Sequence, residues 1–231
     1  MRNISVVIRK QIKDTFKNKT ILIQFILFPL MTLIFENAIE MKDMPELFFT
    51  RLFSVMYIGM APLTSTAAII SEEKERDTLR ALMMANVKPA EYLIGVGLYV
   101  WGICMIGACM MATAIPAKTI PAFMGVMAAG FVISIIAGAC IGIWSKNQMS
   151  ATSLVMPVMM ALSFVPMIAI FNESVEKISK IFYTKQIMNL MDGIILKSSA
   201  GIGRFGAAVI TVNAVLFIVL FSLAYHKKGL E

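Results

Sequence analysis

The densest chemistry in this chain is one charged block, Ser71-Glu72-Glu73-Lys74-Glu75-Arg76-Asp77-Thr78-Leu79-Arg80. Its side chains suit recognition better than catalysis, because the companions of a catalytic site are missing. The one histidine, His226, lies at the far end beside Lys227 and Lys228. Cys104, Cys109 and Cys140 fall inside apolar runs, and an odd buried set makes neither a metal cluster nor a secreted disulfide framework. No Gly-x-x-x-x-Gly-Lys-Ser/Thr run is present to cradle phosphates, and no His-Glu-x-x-His pair to hold zinc. No catalytic, cofactor-binding or metal-binding residues are therefore assigned. Ser and His fall in no nucleophilic arrangement that the sequence reveals.

The elements that position this block are apolar. Leu52–Ile70 precedes it and Tyr92–Ile115 follows it, and neither run contains a charge. Charges at the centre of a bilayer are costly, so the block faces water between two spans. The whole chain of 231 residues is 58% apolar and 15% charged. A run of about 20 apolar residues crosses the hydrocarbon. Six spans are predicted: Thr20–Ile39, Phe48–Ile70, Glu91–Thr113, Pro121–Trp144, Met149–Phe171 and Phe205–Tyr225. Pro157 and Pro166 predict a bend in the fifth. The spans two to six lack carboxylates at their middles, and Glu36 near the end of span one is the one semi-buried candidate. That weighs against a proton- or sodium-driven transporter.

The net charge of +7 does not signal nucleic acid, because the basic residues sit at the ends of the apolar runs. They set orientation instead. With both termini cytoplasmic, 13 of the 21 Lys and Arg lie inside: six before span one, four within Glu72–Glu91, Lys146 and two in the tail. The bias follows the positive-inside rule.

Three further features are read from spacing. In residues 1–19, Ile4, Val7, Ile8, Ile12 and Phe16 recur at helical intervals, with Arg9, Lys10, Lys13, Asp14 and Lys17 between them. This predicts an amphipathic helix in the membrane interface. Residues 172–200 predict two short external helices, with a break at Asp192-Gly193. Gly138-Ala139-Cys140-Ile141-Gly142, extended by Gly130 and Ser134, forms a small-residue stripe for close helix packing. Whether it meets the same subunit or another is open. Gln24, Tyr57, Thr64, Ser65, Thr66, Ser153 and Ser163 are polar groups within apolar runs. They are candidates for a transport cavity, although each hydroxyl is equally able to bond its own helix. The many Met and Phe residues suit an amphipathic or lipid-like substrate.

Glu72 to Met84 is expected to form about three helical turns across the inner surface. The stretch Glu72-Glu73-Lys74-Glu75-Arg76-Asp77-Thr78-Leu79-Arg80-Ala81-Leu82-Met83-Met84-Ala85-Asn86-Val87 resembles the signature of ABC-2 type transporter permeases. Glu73, Lys74 and Glu75 match its charged triplet, and Thr78, Leu79 and Leu82 match in register. Asp77 stands where glycine is common, and Ala85-Asn86 replaces a usual Ser/Thr-Pro. The resemblance implies an all-α polytopic membrane protein of type V exporter-like architecture. It would be one permease domain over 1–231, with a coupling region at 72–88. It also implies a bacterial cytoplasmic membrane, a second permease subunit (identical or not) and two copies of a separate ABC ATP-binding subunit. ATP and Mg would be bound by that partner, and no nucleic acid is involved. By the same resemblance, Glu72, Glu73, Lys74, Glu75, Arg76, Thr78, Leu79 and Leu82 would contact the ATPase. The interfacial helix, through Ile8, Arg9, Ile12, Lys13 and Phe16, would join them.

Overall fold

Long apolar runs leave the backbone no partner but itself in a membrane, so they fold as helices. The computed structural model describes residues 2–38, 45–196 and 203–228. Its elements are α1 (Arg2–Lys17), α2 (Lys19–Ala38), α3 (Phe48–Glu75), α4 (Thr78–Met84), α5 (Pro89–Ala112), α6 (Ile120–Trp144), α7 (Gln148–Ile168), α8 (Glu173–Ser179), α9 (Tyr183–Leu196) and α10 (Arg204–Lys228). Six of them, α2, α3, α5, α6, α7 and α10, are long and apolar enough to span a membrane. The chain is thus an all-α membrane protein. The expected end of span one at Ile39 and residues 197–200 of the external stretch lie outside the described residues.

The axis of the bundle is α3. It packs against α2, α5, α6, α7 and α9. Its 28 residues reach about 42 Å at 1.5 Å per residue. That exceeds the hydrocarbon thickness of about 30 Å, so the last turn, Glu72–Glu75, stands beyond the membrane core. At the other extreme, α10 leans on α6 and α9 and leaves Val212, Val215, Ile218, Val219 and Leu223 exposed.

Close packing of α6 on α3 follows from the small-residue stripe. A Cβ added at Gly130 would press on Ile58, one at Gly138 would run into the Leu63 carbonyl oxygen, and one at Gly142 would lie 2.8 Å from Ile70 Cβ. Ser134 donates to the Ile58 carbonyl and shares a hydrogen bond with the Tyr183 hydroxyl at 2.6 Å. The stripe therefore serves contact within the subunit.

Helix ends follow local chemistry. Pro89 opens α5, and Glu91 accepts from the Lys88 amide at 3.0 Å. Asn147 caps α7 by accepting from Ser150 N at 2.8 Å, and Asn172 caps α8 in the same way. Glu36 caps α3 from a distance, accepting from Thr50 N at 2.8 Å and Thr50 Oγ1 at 2.9 Å. This is the work of the carboxylate singled out near the end of span one.

Two expectations are corrected. The charged block is not one three-turn helix. Its first part is the end of α3, and the chain then turns at Arg76-Asp77 into α4. Asp77 has φ 53°, in the left-handed region that glycine adopts freely and Asp tolerates. Asn86 has φ 66°, which proline cannot reach. Likewise, the external break is not at Asp192-Gly193, which lies inside α9. The chain turns at 180–182 instead, where the amides of Ile181 and Phe182 satisfy the carbonyls of Ile178 and Ser179.

Candidate functional site

At the end of α3, four consecutive side chains each hold a different part of the fold. Glu72 pairs with Arg76 at 2.9 Å and accepts from Asn18, in the α1–α2 link, at 3.4 Å. Glu73 is buried and accepts from Lys10 and Gln11 of α1 through the same carboxylate oxygen. Lys74 Nζ donates to the Ile143 carbonyl in the last turn of α6 at 2.9 Å. Glu75 Oε2 accepts from the amide of Gln148, the first residue of α7, at 2.8 Å. Each successive residue of a helix turns by 100°, so four residues sample a full circuit of neighbours. The hub exists because α3 is the central helix and its last turn clears the bundle.

The same corner fixes α4. Thr78 Oγ1 donates to the Glu73 carbonyl at 3.2 Å, Leu79 is buried, and Leu82 packs against the core. The outer face of the corner carries Glu75, Arg76, Asp77, Arg80, Ala81 and Met84, with Met84 77% exposed. Of the residues expected to meet a partner, Glu73 and Leu79 are therefore enclosed by this chain itself. Glu72, Lys74, Thr78 and Leu82 are half-buried, and Glu75 and Arg76 are open. The spacing gave no sign of Arg80 and Met84 as surface residues.

Helix α1 is seated by Val7, Gln11 and Thr15, all buried at four-residue spacing. Val7 lies over Gly95 of α5, where a Cβ would come within 2.8 Å of it. Asn3 donates to Glu91 Oε2 at 2.9 Å. The expected apolar face is thus divided. Val7 packs inward and Ile8 is half-buried, whereas Ile12 is 42% and Phe16 70% exposed along the flank that also carries Arg9. Lys13 is exposed. Sequence reasoning missed Gln11 as an anchor. The available signal was an uncharged amide at four-residue spacing from Val7 and Thr15, on the line that Asn3 begins. Between α1, the start of α2 and the end of α3 lies a cleft of 720 Å³ lined by Lys10, Asp14, Lys19, Glu72, Glu73 and Arg76, among others.

The structure places the polar candidates inside the spans at several helix contacts. Gln24 Oε1 accepts from Thr64 Oγ1 at 2.9 Å and Ser65 Oγ at 3.4 Å, joining α2 to α3. Tyr57 is fully buried and donates to the Phe25 carbonyl at 3.1 Å. Ser163 is packed where α7 meets Gly59, and among the described residues its hydroxyl has no hydrogen-bond partner, as is true of Thr66. Ser153 is exposed on α7 and bonds its own helix at Met149 O.

A further ion pair, which the sequence did not suggest, lies at the other end of α3. Arg51 Nε is 2.9 Å from Asp192 Oδ1 of α9, and the Arg51 side chain is 7% exposed.

Among the described residues, no group of His, Cys, Asp or Glu has the geometry to hold a metal ion. The family profile described as ABC-2 family transporter protein matches residues 3–226. No curated protein and no solved structure matches the chain.

Proposed function

The chain belongs to the ABC-2 transporter family, and on that premise we propose that it is the membrane-spanning permease subunit of an ATP-driven exporter. The observation that carries this reading is the hub at Glu72–Glu75, which ties α1, α6 and α7 to the end of the central helix. A load applied at that corner is delivered to several helices together.

In this reading the corner and both termini face the cytoplasm, in keeping with the distribution of Lys and Arg. A separate ATP-binding subunit, two copies per assembly, hydrolyses ATP with Mg and presses on the exposed face formed by Arg76, Asp77, Arg80 and Met84. Leu79 and Leu82 support that face from behind. Glu73 acts indirectly by anchoring α1, whose Arg9, Lys13 and Phe16 flank lies in the interface with lipid. A second permease subunit completes the path. The half-exposed seam of Gln24 and Thr64, with Ser153 on α7, faces that path, because polar side chains are costly against lipid. The exposed Ile23, Ile26, Leu27 and Leu30 of α2, with Met156 and Met160 of α7, suit an amphipathic or lipid-like substrate.

The test is partner dependence. The chain is co-expressed with a candidate ABC ATP-binding subunit from the same organism, purified by a tag on the chain and reconstituted in vesicles with a fluorescent amphiphile. Co-purification and outward movement that requires ATP and an active ATPase are expected. Movement by the chain alone under an ion gradient would overturn the reading.

A further inference from the structure

Lys74 and Glu75 are neighbours on the last turn of α3, yet they grip the facing ends of two successive helices. The Lys74 ammonium meets the Ile143 carbonyl at the C-terminal end of α6, and the Glu75 carboxylate meets the Gln148 amide at the N-terminal end of α7. A helix ends in partial negative charge at its C-terminus and begins in partial positive charge at its N-terminus. The order Lys then Glu therefore matches the order in which α6 ends and α7 begins. The opposite order would place like charge at both ends.

The gripped object is stiff. Only residues 145–147 join α6 to α7. Within them Ser145 Oγ donates to Ile141 O at 2.7 Å, and the Asn147 side chain caps α7. Farther along, α7 lies closely on α3, because Gly59 leaves room for Leu162 and Ser163. Its remaining face exposes Ser153, Met156 and Met160.

We propose that Lys74 and Glu75 are positioning residues that carry movement of the α3–α4 corner into the α6–α7 hairpin, so that α7 shifts with the nucleotide state of the partner. The inference rests on the permease reading. Chain connectivity alone would pass a load at α4 to α3 and α5. Packing along the bundle joins α6 and α7 to α3 farther from the corner, and the paired grip ties their facing ends to the corner itself.

The test uses the full chain with the co-purifying ATP-binding subunit in lipid nanodiscs. The three native cysteines are replaced by alanine, and spin labels are attached at Met149→Cys on α7 and Ile94→Cys on α5. Both native side chains are exposed. Label distances are compared in the nucleotide-free and vanadate-trapped states. A trapping-dependent shift is expected without further substitution. It should be lost in Lys74→Ala/Glu75→Ala and in the charge swap Lys74→Glu/Glu75→Lys, read in complexes that still co-purify. Glu75→Gln should retain the shift, because an amide oxygen still accepts the Gln148 N–H. A shift that survives the double alanine change, or no shift with the native Lys74–Glu75 pair, overturns the proposal. So does loss of co-purification in the alanine variant alone, which would make the pair an ATPase contact. Failure of the chain to co-purify with both residues intact would instead sink the permease reading.

Discussion

Replacing Glu73 by alanine isolates the attachment of α1. The Glu73 side chain is 7% exposed, and one of its oxygens serves both Lys10 and Gln11. Without it, the Gln11 amide, whose residue is 2% exposed, loses its acceptor, at a cost of about 1–3 kcal/mol. Lys10 loses less. Its side chain is 28% exposed and keeps Asp14 at 3.2 Å, so its share is about 0.2–1 kcal/mol. Together they give about 1–4 kcal/mol, which raises the open population of α1 roughly 7- to 700-fold. Val7 over Gly95 and Asn3 on Glu91 still hold the first turns, so the effect is local opening rather than loss of the fold. Hydrogen exchange in nanodiscs reads it directly. Amides of the second half of α1 should exchange faster by that factor, while those of α6 along the stripe stay unchanged. Glu73→Gln, which keeps one acceptor oxygen, should fall between the two. An α1 that exchanges within about threefold of the native rate in Glu73→Ala, against the expected opening, would refute the anchoring role.

Three other outcomes follow from the geometry. Gly138→Val forces a side chain into the Leu63 backbone and should cost about 1–3 kcal/mol or more in thermal unfolding, whereas Gly125→Ala meets nothing within 4 Å and should be silent. Asp77→Gly should hold or raise stability, and Asp77→Val should lose about 1–2 kcal/mol, because only the latter is strained at this positive φ; equal melting of the two would contradict the left-handed turn. Asp192→Ala should loosen α9 more than Arg51→Ala does, measured by exchange of the α9 amides. The first change strands a guanidinium that is 7% exposed, while the second leaves a carboxylate 33% exposed to water.

Much of the architecture was legible because a membrane imposes a simple rule. Charge-free runs near 20 residues long must be helices, and they were placed within a few residues of α2, α3, α5, α6, α7 and α10. The short elements were harder. Asp192-Gly193 reads as a break, yet α9 continues through it, because Met188, Met191 and Ile194 are buried on the bundle and packing outweighs the weak helix propensity of glycine. At the charged block, Asp77 stands out in the sequence, but its role does not. Only the backbone shows that this position needs positive φ, which is why glycine or a tolerant Asp fits there.

The sequence by itself determined that this is a multi-span helical membrane protein with one polar corner between its second and third spans, because hydropathy and charge are properties of the chain. It also carried the family, because the signature is a matter of spacing. Tertiary structure alone decided what each residue of the signature touches. Glu73 and Leu79 face inward, Arg80 and Met84 outward, and Lys74 and Glu75 grip two helix ends roughly 70 residues away in the chain. A helix presents every residue to some direction. Which neighbour lies in that direction is set by how α1, α6 and α7 pack around α3, and no local pattern encodes it.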